Sequence, residues 1–63
     1  MNADQILAEI REANLSYLML AQSLIRADRD QALYRLGIGE EAATMIGGLS
    51  SAQIMKIAQT NTL

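Results

Sequence analysis

The fold is decided by residues 6–25, which read ILAEIREANLSYLMLAQSLI. Apolar side chains recur in this run at alternating steps of four and three residues, as at the a and d positions of a heptad. This spacing predicts one long helix that packs against another helix along its length. The six positions, called the seam below and interpreted as the core of a homodimer, are Ile6, Ile10, Ala13, Tyr17, Leu20 and Leu24.

Capping signals define the ends of the long helix. Asn2 followed by Gln5 three residues later is typical of a helix start. The next such pair is Asp28 with Gln31, and nothing between the two pairs breaks a helix. The sequence therefore predicts a first helix of about 25 residues, or about 38 Å, ending near Ala27.

Three short helices are predicted to follow, so the fold class is all-α, with residues 1–63 forming one domain. Glycines and a further capping pair mark their boundaries, because glycine suits helix ends and Ser-x-x-Gln suits helix starts. The predicted helices are residues 29–36 before Gly37, a third from Gly39 to the pair Gly47–Gly48, and a fourth from Ser50 to about Gln59. The expected apolar stripe of the third helix is Ala42, Met45, Ile46 and Leu49.

The chain is too small to be stable on its own core alone. It has 63 residues, no cysteine and no histidine, which excludes disulfides and the usual zinc sites. A core of this size supplies only about 3–5 kcal/mol. We therefore expect an intertwined homodimer, in which a second copy covers apolar surface.

Two features of the long helix have two interpretations each. Leu15 and Met19 interrupt its polar side, either as scattered surface residues or as a second interface with another chain. Asn14 lies within the apolar side, where it is either a buried amide that fixes helix register or a solvated residue at the edge.

Composition and charge exclude several classes of function. The net charge is −2, and Lys56 is the only basic residue after position 35, which opposes direct DNA binding. The acidic pair Glu40–Glu41 lies at a helix start, where carboxylates stabilise the helix, so the pair is explained without a catalytic role. We therefore expect that the protein is not an enzyme and that it has no metal, cofactor or small-molecule substrate. No apolar run is long enough to span a membrane, and no signal peptide is evident, which predicts a cytoplasmic protein.

The remaining class is a protein-interaction module. Tyrosine and arginine are the residue types that dominate binding energy at protein interfaces. The candidates for partner-facing residues are Asp28, Tyr34, Arg35 and Asn61, although a plain solvated helix face has the same composition.

Four motifs carry a resemblance to a known family. They are NLSYLMLAQSLI at 14–25, RLGI at 35–38, EEAAT at 40–44 and AQTN at 58–61. Together they cover nearly the whole chain, which resembles the FlhD family of bacterial flagellar transcriptional activators.

The resemblance implies a cytoplasmic, all-helical homodimer that joins FlhC in a complex of four FlhD and two FlhC chains. That complex binds promoter DNA of flagellar operons and recruits RNA polymerase. Asp28, Tyr34, Arg35 and Asn61 match positions that serve the complex, with the ring of Tyr34 mattering more than its hydroxyl. Family members are longer, and their DNA-contacting C-terminal segment has no counterpart here. The chain is therefore either a subunit of the activator or a stand-alone adaptor or antagonist that dimerises without binding DNA.

Overall fold

The structure, a computed structural model, describes residues 2–60 and confirms the all-α fold class. The long helix α1 spans Ala3–Ala27 and is followed by α2 at Arg29–Leu36, α3 at Glu40–Gly47 and α4 at Ser51–Thr60. Every predicted helix is present, and the predicted ends lie within one or two residues of the observed ones.

A single residue, Asp28, separates α1 from α2. Its backbone N–H donates to the carbonyl of Leu24 at 2.8 Å, and its side chain accepts from the N–H of Gln31 at 3.2 Å. The same capping chemistry starts α1, where the side chain of Asn2 accepts from the N–H of Gln5 at 2.8 Å. The capping signals therefore placed both ends of α1 correctly.

Short turns fold α2, α3 and α4 back onto α1. Gly37 ends α2 with a φ of 65°, which is a left-handed conformation that side chains other than glycine rarely adopt. A reciprocal capping box starts α4, since the N–H of Ser50 donates to Gln53 Oε1 at 2.8 Å and the N–H of Gln53 donates to Ser50 Oγ at 3.2 Å.

The core consists of two small clusters, and α1 contributes to both. One cluster lies where α2 and α3 pack on α1, and it contains Ala21, Ile25, Ala32, Ala43 and Ile46. The other lies between α1 and α4, and it contains Leu18, Ile54 and Ala58. Half of these eight residues are alanines, so the core buries little apolar surface per residue.

The expected stripe of α3 is wrong at one position. Met45 is 60% exposed, whereas Ala43, the residue next to Ala42 of the predicted stripe, is fully buried together with Ile46. The small Ala43 lets α3 approach α1 closely, and the larger Met45 points away.

The chain is elongated. Its radius of gyration is 12.6 Å, against about 10.6 Å for a typical domain of this length. The N-terminal half of α1 accounts for this shape, because no residue from 2 to 13 is buried. Residues 2–13, called the arm below, extend beyond the part of α1 that the other helices cover.

Candidate protein-interaction site

The seam forms a continuous apolar strip that the chain's own helices leave uncovered. Its large side chains Ile6, Tyr17, Leu20 and Leu24 are 44%, 41%, 57% and 36% exposed, Ile10 is partly buried and Ala13 is exposed. The described part of the chain therefore presents an exposed heptad seam with no helix packed on it.

A neighbouring face of α1 carries the chain's own core instead. The buried residues of α1 are Asn14, Leu18, Ala21 and Ile25. At 100° per residue this face is about 90° around the helix from the seam. Asn14 is 5% exposed, which decides between its two interpretations in favour of the buried amide.

Leu15 and Met19 lie on the opposite flank, beside α4. Leu15 packs against the cluster of Leu18, Ile54 and Ala58 in its own chain, so it is not a scattered surface residue. Met19 stays 55% exposed. The two residues line a shallow groove of about 260 Å³ between α1 and α4. A second interface at this groove stays a prediction.

The partner-facing candidates are spread along α2. Tyr34 is 83% exposed on the last turn, and the exposed Arg35 beside it donates from Nε to Gln31 Oε1 at 3.5 Å. Asp28 is exposed at the start of α2, where it also caps the helix. Asn61 lies outside the described residues. Tyr34 and Arg35 are thus adjacent exposed residues near the end of α2, and Asp28 lies at the other end of the helix.

Polar side chains of α1 hold the turn between α3 and α4 in place. The amide of Gln22 donates to the carbonyls of Ile46 and Leu49, at 3.1 and 2.7 Å. Arg26 donates to the carbonyl of Gly47 from Nε and Nη2, at 3.3 and 3.1 Å. The carbonyls of Ile46 and Gly47 lie in the last turn of α3, where no intrahelical i+4 N–H follows, and the carbonyl of Leu49 lies in the turn itself, so these contacts join α1 to the α3–α4 connection. The sequence indicates these contacts only through the Gly47–Gly48 pair, which marks the end of a helix.

The acidic start of α3 has a structural role. Arg29 at the start of α2 donates from Nε to the Glu40 carboxylate at 2.9 Å and from Nη2 to Thr44 Oγ1 at 2.6 Å. The pair Arg29–Glu40 is exposed, so it orients α2 against α3 while contributing little stability. Residues 2–60 contain no group of acidic side chains that could hold a metal ion, and no described helix is long and apolar enough to cross a membrane.

Comparison with known proteins identifies the family. The sequence profile of the family described as "Flagellar transcriptional activator (FlhD)" matches residues 1–63. The chain belongs to the FlhD family. This match confirms the resemblance described above. The family consists of flagellar transcriptional regulators and not of enzymes.

Three FlhD relatives show how far the similarity extends. The flagellar transcriptional regulator FlhD of Acidovorax sp. (strain JS42) is 60% identical over 63 residues, which are 100% of this chain and 58% of the relative. The FlhD of Ralstonia nicotianae is 54% identical over all of this chain and 60% of its own length. The FlhD of Enterobacter sp. (strain 638) is 49% identical over all of this chain and 53% of its own. The chain thus spans a little over half the length of these curated FlhD relatives.

Proposed function

We propose that residues 1–63 are the homodimerising and FlhC-docking part of a cytoplasmic FlhD-type regulator of flagellar operons. The homodimer assembles with FlhC, and promoter DNA is bound by the complex. The observation that carries this proposal is the exposed seam on α1, in a chain whose own core is small.

The seam favours a second copy of the chain for energetic reasons. When a second chain covers an exposed leucine or isoleucine, the free energy of association gains about 25 cal/mol per Å² of apolar surface removed from water. Leu20, at 57% exposed, is among the most exposed large apolar residues of α1. A homodimer doubles every such contribution, because an isologous interface uses the same surface on both chains.

The distribution of charge supports DNA binding through the complex rather than by this chain. Arg26 holds the α3–α4 turn and Arg29 pairs with Glu40, so both guanidinium groups have structural partners. Arg11, Arg35 and Lys56 are the other basic residues, and they lie on three different helices. A phosphate-binding surface normally needs several clustered basic side chains.

The pair Tyr34 and Arg35 supports a docking role for the end of α2. An 83% exposed tyrosine beside an exposed arginine has the composition of an interface hot spot. Neither side chain contributes to the two core clusters, so a role in partner binding explains their placement better than a role in folding.

A capture experiment with tagged FlhC tests the proposal, with light scattering to give the mass of the complex. The chain is expected to be retained as a homodimer, Tyr34→Phe to be retained equally, and Tyr34→Ala to be lost, because the ring supplies the contact area. Met45→Ala, which also truncates a large exposed side chain but lies on α3 outside the partner-facing candidates, serves as the matched control. Failure of the unmodified chain to bind FlhC, or equal capture of Tyr34→Ala, would overturn the docking role.

A further inference from the structure

We propose that the two α1 helices of the homodimer pair antiparallel, with the twofold axis at the level of residue 15. This inference rests on the proposed homodimer and specifies how its second copy is seated. The spacing of the seam permits this orientation, because its steps of four, three, four, three and four residues read the same from either end, and side-chain size and the arm favour it over a parallel pair.

A palindromic seam matches itself when one helix is reversed. With the axis at the level of residue 15, Ile6 faces the partner's Leu24 and Ile10 faces the partner's Leu20. Ala13 faces the partner's Tyr17. All six positions of one chain therefore meet a seam position of the other chain, over about 27 Å of helix.

Side-chain size favours this arrangement over a parallel pair. In the antiparallel pair the smallest seam residue, Ala13, faces the largest, Tyr17, so the layers near the axis have equal volume. In a parallel pair in register, two tyrosines would share one layer and two alanines the next. Cores are stable when large residues face small ones, and both overfilled and underfilled layers cost stability.

The arm gives a second, independent argument. Of residues 2–13, Ile10 is partly buried in its own chain and the others are exposed, while α2 and α3 pack at the opposite end of α1 around Ala21 and Ile25. Antiparallel pairing places each arm beside the end of α1 that carries the partner's α2 and α3. A parallel pair would place the two arms side by side, with no other helix near either.

Leu7 illustrates how antiparallel pairing would cover the arm. It is 40% exposed and lies outside the seam, on the side of α1 that faces the chain's own α2 and α3 further along. In an antiparallel pair, residues on this flank of one helix meet the same flank of the other. Leu7 then lies at the level of the partner's Ser23, within two residues of the partner's Ala21 and the partner's Ile25, where the partner's short helices can cover it.

Disulfide crosslinking tests the orientation cleanly, because the chain has no cysteine of its own. Two single variants, Ile6→Cys and Leu24→Cys, are oxidised separately and as a refolded mixture. Each variant carries one cysteine, so every disulfide joins two chains. A disulfide needs Cα atoms within about 7 Å, and in a parallel pair in register these two positions would be about 27 Å apart along the helices, so a crosslink between them reports an antiparallel pair. Glu12→Cys, on the far side of α1 from the seam, is the control and should not crosslink.

The antiparallel pair predicts a disulfide-linked heterodimer in the mixture, at least about tenfold above the crosslinked product of either variant alone. The pair Ile10→Cys with Leu20→Cys repeats the test at a second layer, and circular dichroism confirms that each variant is helical. Crosslinking of Leu24→Cys with itself would overturn the antiparallel pairing while leaving the homodimer intact. An unmodified chain that sediments as a monomer would instead overturn the proposed homodimer.

Discussion

Replacing Leu20 by aspartate should separate the homodimer although Leu20 belongs to neither core cluster, and the helical signal should fall with the loss of the dimer. Leu20 is 57% exposed in the single chain, so more than half of its surface is available to a partner. Full burial of a leucine contributes about 1.5–3 kcal/mol, and covering this fraction contributes about 0.9–1.7 kcal/mol. The homodimer contains two copies, so Leu20→Asp should cost about 2–3 kcal/mol from lost burial alone.

That loss raises the dissociation constant of the dimer by about 30- to 150-fold. The true increase should be larger, because the new carboxylate also resists burial. The assay is sedimentation equilibrium over a concentration series, with circular dichroism on the same samples. Met45→Asp is the matched control, since Met45 is 60% exposed but lies on α3, away from the seam. A Leu20→Asp variant that dimerises as tightly as the Met45→Asp control would refute the assignment of the seam.

Three further substitutions test other parts of the account. Gln22→Ala should lower the free energy of unfolding by about 1–3 kcal/mol in a denaturant titration, because the carbonyl of Leu49 loses the side-chain amide that donates to it, whereas the carbonyl of Ile46 keeps the N–H of Leu49. An unchanged midpoint would mean that water replaces the amide. Gly37→Ala should cost about 1 kcal/mol in the same titration, since φ is 65° there, and a stabilised variant would contradict that geometry. Arg35→Ala should leave the helical signal and the homodimer unchanged but weaken FlhC capture by about 1–2 kcal/mol, and unchanged capture would make Arg35 an ordinary surface residue.

The helices could be predicted from the sequence because their boundaries depend on local chemistry. Asp28 and Ser50 place an oxygen next to the free N–H groups of the following helix, and Gly37 supplies the left-handed residue at a helix end. These interactions join residues a few positions apart. Both members of each capping interaction can therefore be recognised from the sequence alone.

The choice of core face could not be predicted in the same way. The α1 helix carries two apolar stripes, and periodicity alone does not say which one meets the chain's own helices. The structure turns the stripe that includes Leu18 and Ile25 inward and leaves the stripe that includes Leu20 and Leu24 exposed. The same ambiguity made Met45 rather than Ala43 the expected core residue of α3.

Contacts between distant polar residues were also beyond the sequence. Gln22 and Arg26 read as ordinary surface residues of α1, yet they hold the end of α3 across separations of more than 20 positions. The packing of Leu15 against α4 is likewise not predictable from the sequence, because no pattern shows that α4 folds back beside it. The proposed roles of the partner-facing residues remain predictions that only binding experiments address.

Thermal unfolding of the unmodified chain across a range of concentrations tests the central claim most directly. If the chain is stable only because a second copy covers the seam, its helical signal should melt at a temperature that rises with concentration, as it does for any protein stabilised by association. Sedimentation at the same concentrations should show the homodimer giving way to monomer as the solution is diluted and the helical signal is lost. A melting temperature independent of concentration, with a compact folded monomer at the lowest concentration, would contradict the account.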